Sequence, residues 1–462
     1  MPSRGKRFFM SSYKKVVVLG LALITEVGCL PRAPQIGITA SGSAPEKYQA
    51  DDKIPVVKDQ DSLPNVSPTL ETNQAPAPVF KVLTDIDVLT LIDKDVSTLN
   101  PVELLKTRYF SLHVVNNLGA KPAELEQQRA AFKKTLNSMS NKNTLAKPVA
   151  VDGAKLVYRI NLDDVGMSPA EFDKVVADHY PFNQRFIDVG SAESIAAVQK
   201  DATVRKLLAT DIFMVRMDWW NATSTLPILY EKFMRFPATL AAFEDEFLGG
   251  KNQRIANILK NDVLRSGFDN SDVALSNRII ERHEGKDGGY YVSYDFFNLK
   301  VGDPFVNAAG LNVIANQVDI DQHNINTSPL GPLGTNLANA RLEFSQDLNG
   351  VLFTLPNGLF GYFTANAQGL ALDKSHINLI RQNTAPNEFS LAVTNGQSCM
   401  SCHNAGLLLK ADTIVQGVGQ NKQAFAAADI ARINLLYRAD AFKSEVEQDN
   451  AKYVKALKDM GI

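Results

Sequence analysis

Two of the chain's three cysteines, Cys399 and Cys402, stand three residues apart and are followed at once by His403, while the third, Cys29, lies near the opposite end. Three cysteines cannot staple 462 residues, so no disulfide framework replaces a core, and the fold must rest on buried apolar surface. The composition supplies that surface: 45% of residues are hydrophobic and 21% charged, outside the range of intrinsic disorder. Lys+Arg (48) nearly balances Asp+Glu (50), which excludes the bulk basic surface of a nucleic-acid-binding protein. At this length two or three ordinary domains, or one large domain with appendages, are expected.

The first residues address the chain to a compartment. Arg4, Lys6, Arg7, Lys14 and Lys15 precede the apolar run VVVLGLALI over residues 16–24, the order of an export signal. As a helix this run covers roughly 14 Å, about half a bilayer's hydrocarbon core, so a cleaved signal over residues 1–28 is expected, not a membrane span. Thr25-Glu26-Val27-Gly28-Cys29 resembles the bacterial lipoprotein signal, in which a small residue precedes the cysteine that is lipidated. Gly28 matches, whereas Glu26 stands where that signal carries an aliphatic residue. The alternative is an ordinary secretory signal cut later, near Ala40, and both readings export the protein. Loss of residues 1–28, with five basic residues and Glu26, takes the formal charge from −2 to about −6. Residues 29–79 hold eight of the 21 prolines with Ser, Ala, Asp and Gln, and read as a lipid-anchored flexible linker with an r.m.s. span near 40 Å.

An α+β fold is expected beyond it, with helical N-terminal and C-terminal parts around an antiparallel β meander. The mainly helical region covers residues 80–270. Asn100 caps and Pro101 opens a helix expected to run to about Asn117, and a second over residues 122–138 pairs with it as a hairpin. Residues 155–162 alternate like a strand, and Ser168-Pro169 begins another helix. The β-rich region covers residues 271–395. Residues 288–297 are aromatic and β-prone, residues 278–282 are helix-like, and three short strands over 341–344, 350–355 and 359–365 are expected, joined by turns at Asn349-Gly350 and Asn357-Gly358. Residues 396–462 return to helix.

Cys399-Met400-Ser401-Cys402-His403 is a single C-x-x-C-H, the spacing of c-type haem attachment. Two cysteines three apart lie on one side of a helical turn and can form two thioethers to one haem, while the adjacent imidazole reaches the iron. At this composition the pattern arises by chance roughly two to three times in ten thousand. A Cys399–Cys402 disulfide or a partial zinc site are the alternatives; zinc would need a fourth ligand, and the sequence holds no second Cys/His cluster. In this motif, C-x-S-C-H-x-x-G, the chain resembles the c-type cytochromes. It also resembles a group of little-characterised exported bacterial proteins with one such motif near the C-terminus, through Ser276-Asn277-Arg278-Ile279-Ile280-Glu281-Arg282-His283, Ser328-Pro329-Leu330-Gly331-Pro332 and Leu355-Pro356-Asn357-Gly358-Leu359. The resemblance, over residues 109–410, implies one covalent haem c on Cys399 and Cys402 with His403 as proximal iron ligand, and no established reaction.

A small cytochrome c supplies a distal methionine downstream, but here residues 404–462 hold no His and only Met460. A sixth ligand would come from upstream, with the haem packed on the main globule. Candidates are His113, His179, His283, His323, His376, Met214, Met217 and Met234. His283 ranks first as a residue at an edge before the aromatic strand, against the plain reading of an exposed histidine among charges. His113 reads as a satisfied core residue, Trp219-Trp220 as core anchors, and the acidic residues 85–95 and Asp163-Asp164 as caps and turns. The function expected is single-electron transfer in the periplasm or at the outer membrane, with an unknown redox partner protein, membrane attachment through Cys29, and no nucleic acid. Alternatives are a peroxidase-like haem enzyme or small-gas sensor with an open distal site, or a structural envelope lipoprotein.

Overall fold

Proline and short polar caps set the N-terminal helices. Thr84 caps α1 (Asp85–Val96), and Asn100 and Glu103 form a reciprocal capping box at α2 (Pro101–Lys106). The helix expected to reach residue 117 stops at residue 106, because the next five residues form strand β1 (Thr107–Ser111), followed by α3 (His113–Asn117). β1 is buried along its whole length and paired on both sides. Those pairings, with Thr107, Tyr109 and Phe110 suited to a packed sheet, outweigh the local helical pattern. The expected helical hairpin is therefore absent.

The computed structural model describes residues 82–462 except 251, 269–270, 272, 275–276, 297–324, 326–327, 332–343, 345, 378 and 383–390, so the expected signal, linker and Cys29 lie outside it. Next come α4 (Pro122–Asn137), β2 (Val149–Ala150), β3 (Val157–Asn161), α5 (Pro169–Ala177), α6 (Ala192–Leu208) and β4 (Met214–Arg216). α7 (Met217–Thr223), α8 (Pro227–Met234), α9 (Leu240–Phe247) and α10 (Gln253–Leu259) complete the helical part. The first sheet has order β2-β3-β1-β4. Phe110, Phe172 and Phe233 pack around Trp220, whose Nε1 donates to Thr135 at 3.1 Å. Trp220 is thus the core anchor expected of it.

The second sheet is an antiparallel meander in chain order: β5 (Leu264–Phe268), β6 (Arg278–Glu284), β7 (Gly289–Asp295), β8 (Leu348–Thr354) and β9 (Phe360–Asn366). Residues 278–282 are strand, not helix. Adjacent Ile279 and Ile280 and the charges Glu281 and Arg282 hide a period of two, because the strand is largely covered on both faces and its charges meet partners. Asn349-Gly350 lies inside β8, where Asn349 Nδ2 donates to the Ser293 carbonyl at 3.0 Å; the β8–β9 turn is the expected Asn357-Gly358, with Gly358 at φ +86°. Of the expected strand over 341–344, residues 341–343 lie outside the described residues. After the sheet follow α11 (Gln397–Cys402), α12 (Ile414–Gln420), α13 (Ala427–Leu436) and α14 (Ala439–Asp459). The fold is α+β, with helical N- and C-terminal parts and the five-stranded sheet between them. Residues 75–462 form one unit, and one apolar core runs through both sheets and the C-terminal helices.

Candidate functional site

The C-x-x-C-H segment is a short helix held at both ends. Gly396 precedes α11 with φ +75°, and a Cβ there would lie 2.7 Å from the Thr225 carbonyl oxygen and from Tyr230 Cδ1, so only glycine fits. Ser398 Oγ accepts from the Thr394 amide at 3.0 Å, and the His403 amide donates to the Cys399 carbonyl at 2.9 Å. One helical turn therefore brings Cys399 and Cys402 to the same side. Both are free thiols. Burial pushes Cys399 up to about 11, and partial desolvation by its neighbours raises Cys402, although its surface is exposed. Thiols in that state are unlike the depressed, thiolate-rich pair of a redox-active C-x-x-C.

His403 is oriented by its own loop. Its Nδ1 lies 3.2 Å from the Gly406 carbonyl, and since a carbonyl only accepts, Nδ1 carries the proton and Nε2 presents its lone pair. Burial lowers the imidazole's pKa, which keeps the ring neutral at pH 7. The ring stacks on Tyr362, with centroids 6.1 Å apart and planes at 23°. The loop itself is pinned to α14. Leu407 N donates to Asn450 Oδ1 at 2.7 Å, Asn450 Nδ2 donates back to the Leu407 carbonyl at 2.9 Å, and Tyr453 Oη donates to the Asn404 carbonyl at 3.2 Å. Gly406, at φ +117°, allows this approach, because a Cβ there would lie 2.5 Å from Asn450 Oδ1.

Cys399, Cys402 and His403 open onto a cavity of about 410 Å³, within the ~300–1,000 Å³ of small-molecule and cofactor sites. One wall is the five-stranded sheet. Register aligns Ser266, Ile280, Ser293, Gly350 and Thr364 in a row across all five strands, and every one of them borders the cavity. Leu407, Leu408, Leu409, Phe442 and Val446 contribute apolar surface from the loop and α14. Leu408 is 70% exposed, apolar surface that a flat hydrophobic occupant would cover. These residues suit a haem: paired thiols on one helical side, a neutral imidazole aimed by its second nitrogen, and apolar walls.

The structure brings Cys399, Cys402 and His403 together and separates them from the upstream candidates. His283 is on β6, but the alternation of the strand turns it to the sheet face opposite Ile280. It is 1% exposed, not an exposed histidine, and both ring nitrogens are engaged, Nε2 with Glu281 Oε1 at 2.8 Å and Nδ1 with Asn257 Nδ2 at 3.2 Å. His113 is buried between Ser111 and Asp85, as a core residue should be. His179 meets Lys232 at 3.0 Å and His376 is exposed. Neither they nor Met214, Met217 and Met234 line the cavity, and His323 lies outside the described residues. Asp85 and Asp87 are in the first turn of α1 and Asp95 binds Arg159, while Asp163 pairs with Lys106. Among the described residues no cluster of three or more His, Cys, Asp or Glu is placed to hold a metal ion.

Sequence reasoning missed Tyr362, Asn450 and the cavity-facing side of β6. Only the period of β6 held a signal for the last of these; nothing near residue 450 reveals that its amide holds the loop of residue 407. Compared with protein-family models, curated proteins and solved structures, the chain matches none. What the site can do follows from its own geometry.

Proposed function

We propose that the protein is a c-type haem protein of the cell envelope that transfers single electrons, with one haem bound through Cys399 and Cys402 and with His403 as proximal iron ligand. The observation that carries this reading is His403: its Nδ1 is committed to the Gly406 carbonyl and its neutral ring stands beside two thiols at the mouth of an apolar cavity. The haem would supply the Fe(III)/Fe(II) couple. The chain's residues would do the rest. The α11 turn sets the spacing of the two sulfurs, the Gly406 carbonyl fixes the imidazole tautomer and raises its basicity, and Ile280, Leu352 and Phe442 keep water from the ring. Export and anchoring through Cys29 are proposed from the N-terminal sequence; among the described residues no helix is long and apolar enough to cross a membrane. A redox partner protein would meet the haem edge beside Leu408 and Cys402, both exposed.

A second reading, a haem that binds a small molecule as a peroxidase-like enzyme or gas sensor does, is favoured by Ser266, Gly350 and Thr364 in the cavity wall, which offer hydroxyls and space. The test is the full chain matured in a host that assembles cytochromes c. Electron transfer predicts haem mass on the Cys399–His403 peptide and a sharp low-spin reduced spectrum, which requires a sixth ligand other than the described His and Met candidates, none of which lines the cavity. A high-spin spectrum that shifts with CO selects the second reading, and a peptide with two unmodified cysteines overturns both.

A further inference from the structure

Charge in the cavity wall gathers at one end. Among the described residues that line the cavity, the Asp, Glu, Lys and Arg members are Arg278 and Lys410, both cations. Both neighbour Phe268: Arg278 on β6 pairs with Phe268 on β5, and Lys410 Nζ lies 5.8 Å from the centre of the Phe268 ring. Arg278 is held in a fixed plane. Asp295, its side chain fully buried, takes Nε at 2.5 Å and Nη2 at 3.0 Å, and Ser293 Oγ donates to the same carboxylate at 2.7 Å. Nη1 is the donor outside that grip. Lys410 stands at the end of the run of residues 407–410 that borders the cavity directly after the C-x-x-C-H loop. The cavity is thus amphipathic: Leu407, Leu408, Leu409, Phe442 and Val446 are apolar, and Arg278 and Lys410 bring a guanidinium and an ammonium to the Phe268 end, the polarity of a flat hydrophobic ring with carboxylates on one edge.

We infer that Arg278 and Lys410 form a carboxylate clamp that binds the haem propionates and raises the reduction potential of the iron. The clamp rests on the haem reading above. A planar guanidinium fixed by one carboxylate is preorganised to bind a second, and Lys410 adds an ammonium group as a point charge. Positive charge near the iron disfavours the more positive Fe(III) state, so the clamp shifts the equilibrium toward Fe(II).

The experiment uses the full chain matured in a cytochrome c-assembling host, as wild type and as Arg278→Gln, Lys410→Gln, the double variant and Arg278→Lys. Haem attachment is verified by mass, and the potential is then titrated from pH 5 to 8. Each Gln substitution is expected to leave haem attached and to lower the Fe(II)/Fe(III) ratio at a fixed ambient potential about tenfold, which is 59 mV for one electron. Each should also make the potential more dependent on pH, because a propionate without its cation titrates in this range. Arg278→Lys should recover most of both effects, which a purely structural role for Arg278 would not. If Arg278→Gln fails to fold, exposed Lys410 carries the test. Haem attached with potential and pH profile unchanged in the Lys410 and double variants overturns the clamp. Wild type without haem overturns the reading beneath it.

Discussion

On one face of the β5–β9 sheet, Glu281, His283, Tyr294 and Phe353 are closed in by α9 and α10; on the other, Ile280, Ser293, Gly350 and Thr364 border the cavity. The first face is solid. Phe353 packs against Phe243 and Phe247 at centroid distances of 5.2 and 4.8 Å. Beside it lies a buried polar network in which Glu281 accepts from Arg265 Nε at 2.7 Å, His283 Nε2 at 2.8 Å and Tyr294 Oη at 2.8 Å. Arg254 extends the network by donating to Tyr294 and to Glu244. The second face carries small hydroxyl side chains and a glycine. Both faces come from the same strands, so a step of one residue decides whether a side chain supports the fold or lines the site. That parity separates His283, in the network, from Arg278 and Ile280, on the cavity wall.

Removing one charge from the solid face should have the largest effect. Glu281→Gln leaves Arg265 without its buried counter-ion and is expected to cost about 3–5 kcal/mol in denaturant unfolding. Burial alone would raise the Glu281 pKa, but Arg265, His283 and Arg254 outweigh it and hold the carboxyl well below the usual range. A folded pKa below the ~4.3 of an unfolded glutamate means that this stabilisation is complete above that value and is lost as pH falls through the folded value. The wild type should therefore lose stability more steeply than Glu281→Gln below about pH 4; equal slopes would show that the network does not hold its charge.

Apolar truncation compares the faces directly. Phe353→Ala, in the solid face, should cost about 3–5 kcal/mol, while Ile280→Ala, on the partly exposed cavity wall, should cost less than the ~2–5 kcal/mol of a fully buried isoleucine in the protein without haem. Equal losses would mean that the cavity face is packed as a core. Asn450→Ala removes both hydrogen bonds to Leu407, at about 1–2 kcal/mol, and should raise backbone hydrogen exchange over residues 404–407. The smallest effect is on colour: His283→Ala should leave the haem spectrum unchanged although the protein is less stable, and a change from low to high spin would restore His283 as an iron ligand.

Local signals made several elements legible. Asn100-Pro101 and Ser168-Pro169 begin helices where cap and proline chemistry requires, Asn357-Gly358 turns the β8–β9 hairpin, and the aromatic run that includes Gly289–Asp295 is a strand. Where reading failed, distant pairing had outweighed local preference. Thr107–Ser111 looked helical until β3 and β4 flanked it, Asn349-Gly350 looked like a turn although Ser293 takes it into a ladder, and the charges of β6 concealed a buried strand.

The α+β class and the association of Cys399, Cys402 and His403 were legible in the chain alone, the association because its spacing is local: one helical turn brings the thiols together whatever surrounds them. What these residues face is set by long-range packing. The register of five strands, the amide of Asn450 reaching back across 43 residues, and the placing of Lys410 beside Phe268, the cross-strand partner of Arg278, depend on contacts between segments far apart in the chain. Such contacts form because folding buries apolar surface and must satisfy every polar group buried with it, a condition on the whole molecule that no short stretch of sequence expresses.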